Sequence, residues 1–180
     1  MSNARTETRY GMLPILLHWV SAVLIGWLVV SGFRISDTGD LVAKADMLRL
    51  HVAGGISVAV LTLIRAGWWL LIERKPAAAE GASPIQATAA RLMHWGFYVV
   101  VFGMAASGIA MMMSSGAGPI VFGGSGDLLP DFEAFVGRVQ HGLGARLLIG
   151  LVALHIGAAL YHQFILRDRI LGRMGIGASS

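Results

Sequence analysis

Residues 138–164 read RVQHGLGARLLIGLVALHIGAALYHQF, an apolar run broken by His141, His155 and His162. A helix rising 1.5 Å per residue needs about 20 residues to cross about 30 Å of hydrocarbon, so this run is long enough to span a bilayer. An imidazole facing lipid is costly, so the three histidines must face protein. His141 and His155 are 14 residues apart, and His162 follows after 7. At about 100° per residue, those steps return to within about 40° and about 20° of the starting direction. The histidines therefore form one stripe, with gaps of about 21 Å and then about 10 Å along the helix.

The rest of the chain is of the same kind. Its 180 residues are 56% hydrophobic and 13% charged, with a mean hydropathy of +0.69. A soluble domain carries about 25% charged residues. Apolar stretches near 12–33, 49–72, 91–113 and 139–165 predict a single membrane domain over 1–180, an all-α integral membrane bundle of four transmembrane helices. The first stretch follows Arg5 and Arg9, as a signal peptide would, but it is too long for an h-region and lacks an A-x-A site, so it reads as a retained helix. There is no cysteine, which excludes disulfides, thiolate zinc sites, iron–sulfur clusters and thioether-linked haem.

The connections are 34–51, 73–91 and 114–141. The middle one, ERKPAAAEGASPIQATAAR, reads as a mobile linker. The last is long enough to cap one face of the bundle. No internal repeat is evident. Eight basic residues lie at the N-terminus (Arg5, Arg9), in 73–91 (Arg74, Lys75, Arg91) and at the C-terminus (Arg167, Arg169, Arg173). The other two connections hold four (Arg34, Lys44, Arg49, Arg138). The positive-inside rule then places both termini in the cytoplasm. The pI near 10.1 follows from this bias and does not point to nucleic acid.

With that orientation, the histidines sort by depth. His51 and His141 lie near the outer surface, His18 and His155 in the inner half, and His94 and His162 at the cytoplasmic edge. Two facing pairs about 21 Å apart along the last helix suit two b-type haems, held by axial imidazoles in a bundle core. Gly54, Gly55, Gly142, Gly144 and Gly157 leave room beside these histidines. A lone intramembrane histidine is more commonly a helix-contact residue. A zinc site or a proton relay also remains open on these residues alone. Zinc would lack nearby carboxylates, and a relay would not need paired depths. Arg65 is 14 residues after His51 on the same face, so it either meets a haem propionate at the inner level or snorkels to headgroups. Met104, Met111, Met112, Met113, Ser107 and Gly108 read as helix-packing residues.

Four segments resemble the bacterial cytochrome b561 family: RYGMLPILLHW (9–19), LHVAGGISVAVLTLIR (50–65), RLMHWGFYVVV (91–101) and VQHGLGARLLIGLVALHIGAALYHQF (139–164). The resemblance implies a four-helix bundle in the bacterial inner membrane enclosing two haem b groups. His18 and His155 would ligate one iron, and His51 and His141 the other. His162, with His94, would lie at a cytoplasmic-side ubiquinone pocket. The family's best-known activity is superoxide:ubiquinone oxidoreduction (superoxide oxidase). The alternative is an electron-transfer subunit anchoring a partner protein, a dehydrogenase or hydrogenase. Expected partners are membrane lipid, ubiquinone and superoxide. The two outer connections carry four basic residues against six acidic ones (Asp37, Asp40, Asp46, Asp127, Asp131, Glu133), a balance that does not favour capture of an anion.

Overall fold

The computed structural model describes residues 10–72, 83–124 and 128–177. Helix α1 spans Met12–Asp37, α2 Leu41–Leu71 and α3 Pro84–Ser114. A short α4 follows at Ala117–Gly123, then a 3₁₀ turn at Phe132–Ala134. Helix α5 spans Val136–Leu160 and runs on as a π-helical segment, Tyr161–Leu166; α6 is Ile170–Arg173. No strand occurs among the described residues. α1, α2, α3 and α5 with its π-helical continuation are each long and apolar enough to cross a membrane. Their outward faces carry exposed Val23, Phe33, Leu63, Val99 and Leu154, as lipid-facing surfaces should.

Two helices begin earlier than apolar content predicts, because caps rather than hydrophobicity set their starts. Asp40 accepts hydrogen bonds from the backbone N–H groups of Val42 and Ala43, so α2 starts at Leu41 rather than near 49. Ser83 and Gln86 form a reciprocal capping box with Pro84 at the first helical position, so α3 starts there rather than near 91. The second half of the supposed mobile linker is therefore helical. Its first part, including Arg74 and Lys75, lies outside the described residues, as do Arg5 and Arg9.

α1 packs along α2 and α3 along α5, forming two hairpins joined through α2 and α3. The hairpins share one register, which corrects the expectation of no internal repeat. HWVSAVLIGWLVVSG (18–32) on α1 matches HWGFYVVVFGMAASG (94–108) on α3 in His-Trp at the start and Ser-Gly at the end. On the partner helices, His51, Val58 and Arg65 follow the same seven-residue steps as His141, Leu148 and His155. Substitution between these landmarks hides the relation along the chain.

Two small clusters of buried side chains lie in the interior. One buried cluster joins Val58, Val101 and Leu148, with Leu24, Ile25, Leu28 and Val152 packed on it, at mid-height. The other joins Leu48, Met112, Ala117 and Val121 where α4 roofs the loop end of the bundle, as the length of 114–141 suggested. Gly116 (φ 70°) and Gly124 (φ 63°) flank α4 in left-handed conformations that favour glycine. At the opposite end the terminal segments meet: the Tyr10 N–H donates to the Arg173 carbonyl at 3.2 Å, and Trp19 Nε1 donates to the Met174 carbonyl at 3.0 Å. Both ends of the described chain thus lie on one side.

Candidate haem sites

At the loop end, the His51 and His141 rings face each other across α2 and α5, with centroids 6.3 Å apart and planes at 63°. His51 Nδ1 is 2.8 Å from Ser31 Oγ on α1, and His141 Nδ1 is 3.1 Å from Ser107 Oγ on α3. Backbones come close here. A Cβ at Gly108 would lie 3.3 Å from His141 Cε1, and one at Gly32 would lie 3.6 Å from His51 Cε1. Each Ser-Gly pair thus supplies a hydroxyl and a gap to one imidazole.

The second tier lies toward the terminal end, beyond the Val58–Val101–Leu148 layer. His18 on α1 and His155 on α5 have ring centroids 6.1 Å apart. His94 on α3 approaches the same His155 ring at 6.0 Å, and Phe97 meets it edge-on at 5.5 Å. Arg65 does not snorkel. Its Nη1 lies 3.3 Å from His18 Nδ1, and its Nε is buried with no hydrogen-bond partner among the described residues. An unpaired buried guanidinium nitrogen is costly, which suits an anionic group held at this level.

Depth matching pairs His94 with His162, but the structure puts His94 in the terminal-end tier against His155. Its Nδ1 lies 2.6 Å from the Ala90 carbonyl one turn back on α3. His162 sits in the π-helical segment and pairs with Asp168 at 2.5 Å through Nδ1. Arg167 (φ 57°) and Arg169 (φ 53°) flank Asp168 in left-handed backbone, so a tight turn brings its carboxylate back to the helix. An open cleft beside this pair is lined by Gln86, Leu154, Gly157, Tyr161 and His162.

These residues fit haem. A metal–imidazole bond is about 2 Å, so two imidazoles on opposite sides of one metal have centroids roughly 6 Å apart. Both facing pairs meet that spacing. α1 and α2 approach α5 less closely than α3 does, and each imidazole pair lies across one of these looser contacts. No group of three or more His, Asp or Glu suited to a bare metal ion occurs among the described residues.

The model for prokaryotic cytochrome b561 matches residues 9–177. The chain belongs to the prokaryotic cytochrome b561 family. Membership in this cytochrome b561 family implies b-type haem and electron transfer within a membrane. The chain is 30% identical to cytochrome b561 homolog 2 of Escherichia coli (strain K12), over 100% of this chain and 97% of the relative. It is 28% identical to the probable superoxide oxidase CybB of Yersinia pestis (92% and 95% covered) and 30% identical to cytochrome b562 of Cereibacter sphaeroides (93% and 96%).

Sequence alone does not single out Ser31 or Asp168, and it marks Ser107 only as a packing residue. The repeated His-Trp…Ser-Gly spacing was the available signal for the two serines. Nothing in the sequence marks Asp168, which reaches His162 only through the left-handed turn.

Proposed function

We propose that this cytochrome b561 protein holds two haem b groups and passes electrons from superoxide to ubiquinone across the bacterial inner membrane, with both termini cytoplasmic. The observation that carries this reading is the pair of facing imidazole tiers, His51–His141 and His18–His155, separated by an apolar layer. Haem b, when bound, supplies one-electron redox chemistry that no side chain here can. His51 and His141 would hold the outer group, and His18 and His155 the inner one. His94, which meets the same His155 ring from α3, would serve the quinone end instead.

Each superoxide gives one electron at the loop end and leaves as dioxygen. One ubiquinone takes two such electrons and two protons at the terminal end and leaves as ubiquinol. Arg65 would supply positive charge for a propionate at the inner tier. Val58, Val101 and Leu148 exclude water between the tiers. The His162–Asp168 pair, beside the open cleft, would bind a quinone carbonyl and deliver protons, with His94 on the bundle side of the same region. A reduced-minus-oxidised spectrum should show b-type α-bands, with two haems per chain by pyridine haemochrome. Superoxide added to the detergent-solubilised protein with quinone should reduce both haems rapidly. Haems that stay oxidised while free superoxide decays would overturn the superoxide reading.

A second reading, an electron-transfer subunit docked to a partner protein, draws on the loop-end charges. Two of the four basic residues there already pair with carboxylates, Arg49 with Asp46 and Arg138 with Glu133. A neutralised surface suits a docked donor better than anion capture. Co-purification of a dehydrogenase or hydrogenase with this chain would favour it.

A further inference from the structure

Among the described residues, the most deeply buried polar side chains are Ser31 and Ser107, at 8% and 7% exposure. They occupy matching places in the two hairpins, and each contacts one histidine of the outer pair. Each hydroxyl also reaches a carbonyl of its own helix, Ser31 Oγ to Leu28 O at 3.0 Å and Ser107 Oγ to Met104 O at 3.0 Å. A carbonyl oxygen only accepts, and a hydroxyl has a single proton to give. The consistent arrangement is therefore a chain of two bonds: imidazole Nδ1–H donates to serine Oγ, and the serine O–H donates to the carbonyl. That chain puts the ring proton on Nδ1 and leaves Nε2 as the nitrogen with a lone pair. The inner tier is built differently. His18 Nδ1 faces the Arg65 guanidinium, and no hydroxyl is placed against His155 among the described interactions.

We propose that Ser31 and Ser107 are a matched pair of positioning residues, each accepting the Nδ1–H of one outer histidine so that both present Nε2 to the same haem iron. The proposal rests on the two-tier reading above. Its content is the asymmetry between tiers: the outer haem has both axial imidazoles held by neutral hydroxyls, and the inner haem does not. A metal-bound imidazole that donates its other N–H becomes the more basic ligand, and this favours the oxidised iron. Removing the acceptors should therefore raise the outer midpoint potential and leave the inner one in place.

Thr and Val have nearly the same shape and differ by the hydroxyl, so they isolate it. The test is an optical redox titration of the full-length holoprotein with S31T, S31V, S107T and S107V, and the double variant S31V/S107V. The outer haem is assigned beforehand as the one missing from His51→Ala. Each Val variant should keep two haems, raise the outer potential and leave the inner one unchanged. Each Thr variant should titrate like the parent, and the double Val variant should shift by about the sum of the singles. Loss of the outer haem alone in Val, with retention in Thr, supports the same role. Three results overturn the proposal: an outer potential that is the same in Ser, Thr and Val; an equal shift in Thr and Val, which would assign the effect to side-chain shape; or equal disturbance of both haems. A parent protein holding one haem would instead overturn the two-tier reading.

Discussion

His51 and His141 lie on different helices, 90 residues apart, yet their rings face each other at 6.3 Å. If both ligate one iron, His51→Ala and His141→Ala should each delete the same haem signal and spare the other, as read by difference spectra. Arg65 tests the inner tier. Its charge favours the reduced, less positive haem, so Arg65→Gln should lower the inner midpoint potential by an amount on the order of 1–2 kcal/mol in electron affinity. The outer potential should hold, and a redox titration resolves the two. Asp168 belongs to the quinone end of the proposed path. Asp168→Asn should slow ubiquinone reduction by about 10²-fold or more while superoxide still reduces the haems in stopped flow. Slowing of both steps alike would remove His162–Asp168 from the proton path.

At the scale of elements, the two hairpins are similar in register but not in tolerance. Gly54 and Gly144 sit three residues after His51 and His141 and let α2 and α5 approach their partners. A Cβ at Gly54 would lie 2.7 Å from the Trp27 ring, whereas one at Gly144 would lie 2.5 Å from Met104 Sδ. The thioether is flexible and can swing aside, whereas the indole must turn as a rigid plate and Leu28 Cδ2 also crowds the site at 3.3 Å. Gly54→Ala should therefore cost about 1–3 kcal/mol of stability and Gly144→Ala clearly less, as seen in thermal unfolding followed by haem absorbance. The Ser83–Gln86 capping box shows the same local logic: it extends α3 through residues whose composition reads as linker.

At the scale of the molecule, an apolar outer surface encloses an interior with few fully buried side chains. At both tiers α5 meets α1 and α2 through facing imidazoles rather than through close-packed apolar side chains. Haem binding should therefore stabilise the fold. Protein made without haem should lose helicity at a lower temperature than holoprotein by circular dichroism, and adding haem should restore the difference. Tyr10 and Arg173 meet at one end of the bundle, so reporters fused at either terminus should give the same sidedness, cytoplasmic on the charge bias.

The four spans and the common depth of His51 with His141 and of His18 with His155 were legible in the chain, whereas His162 lies in a π-helical segment to which regular α-helical angles do not apply. Helix rise and angle convert spacing directly into position along one helix. That arithmetic says nothing about how one helix is rotated against the next, which packing decides. Rotation set by packing brings Ser31 to His51 and Ser107 to His141, places His94 against His155 and turns Arg65 inward to His18. A left-handed turn beyond the last span does the same for Asp168 and His162. Spacing along each helix thus fixes the levels of His18, His51, His141 and His155, whereas helix packing sets the level of His94 and the polar group that each imidazole meets.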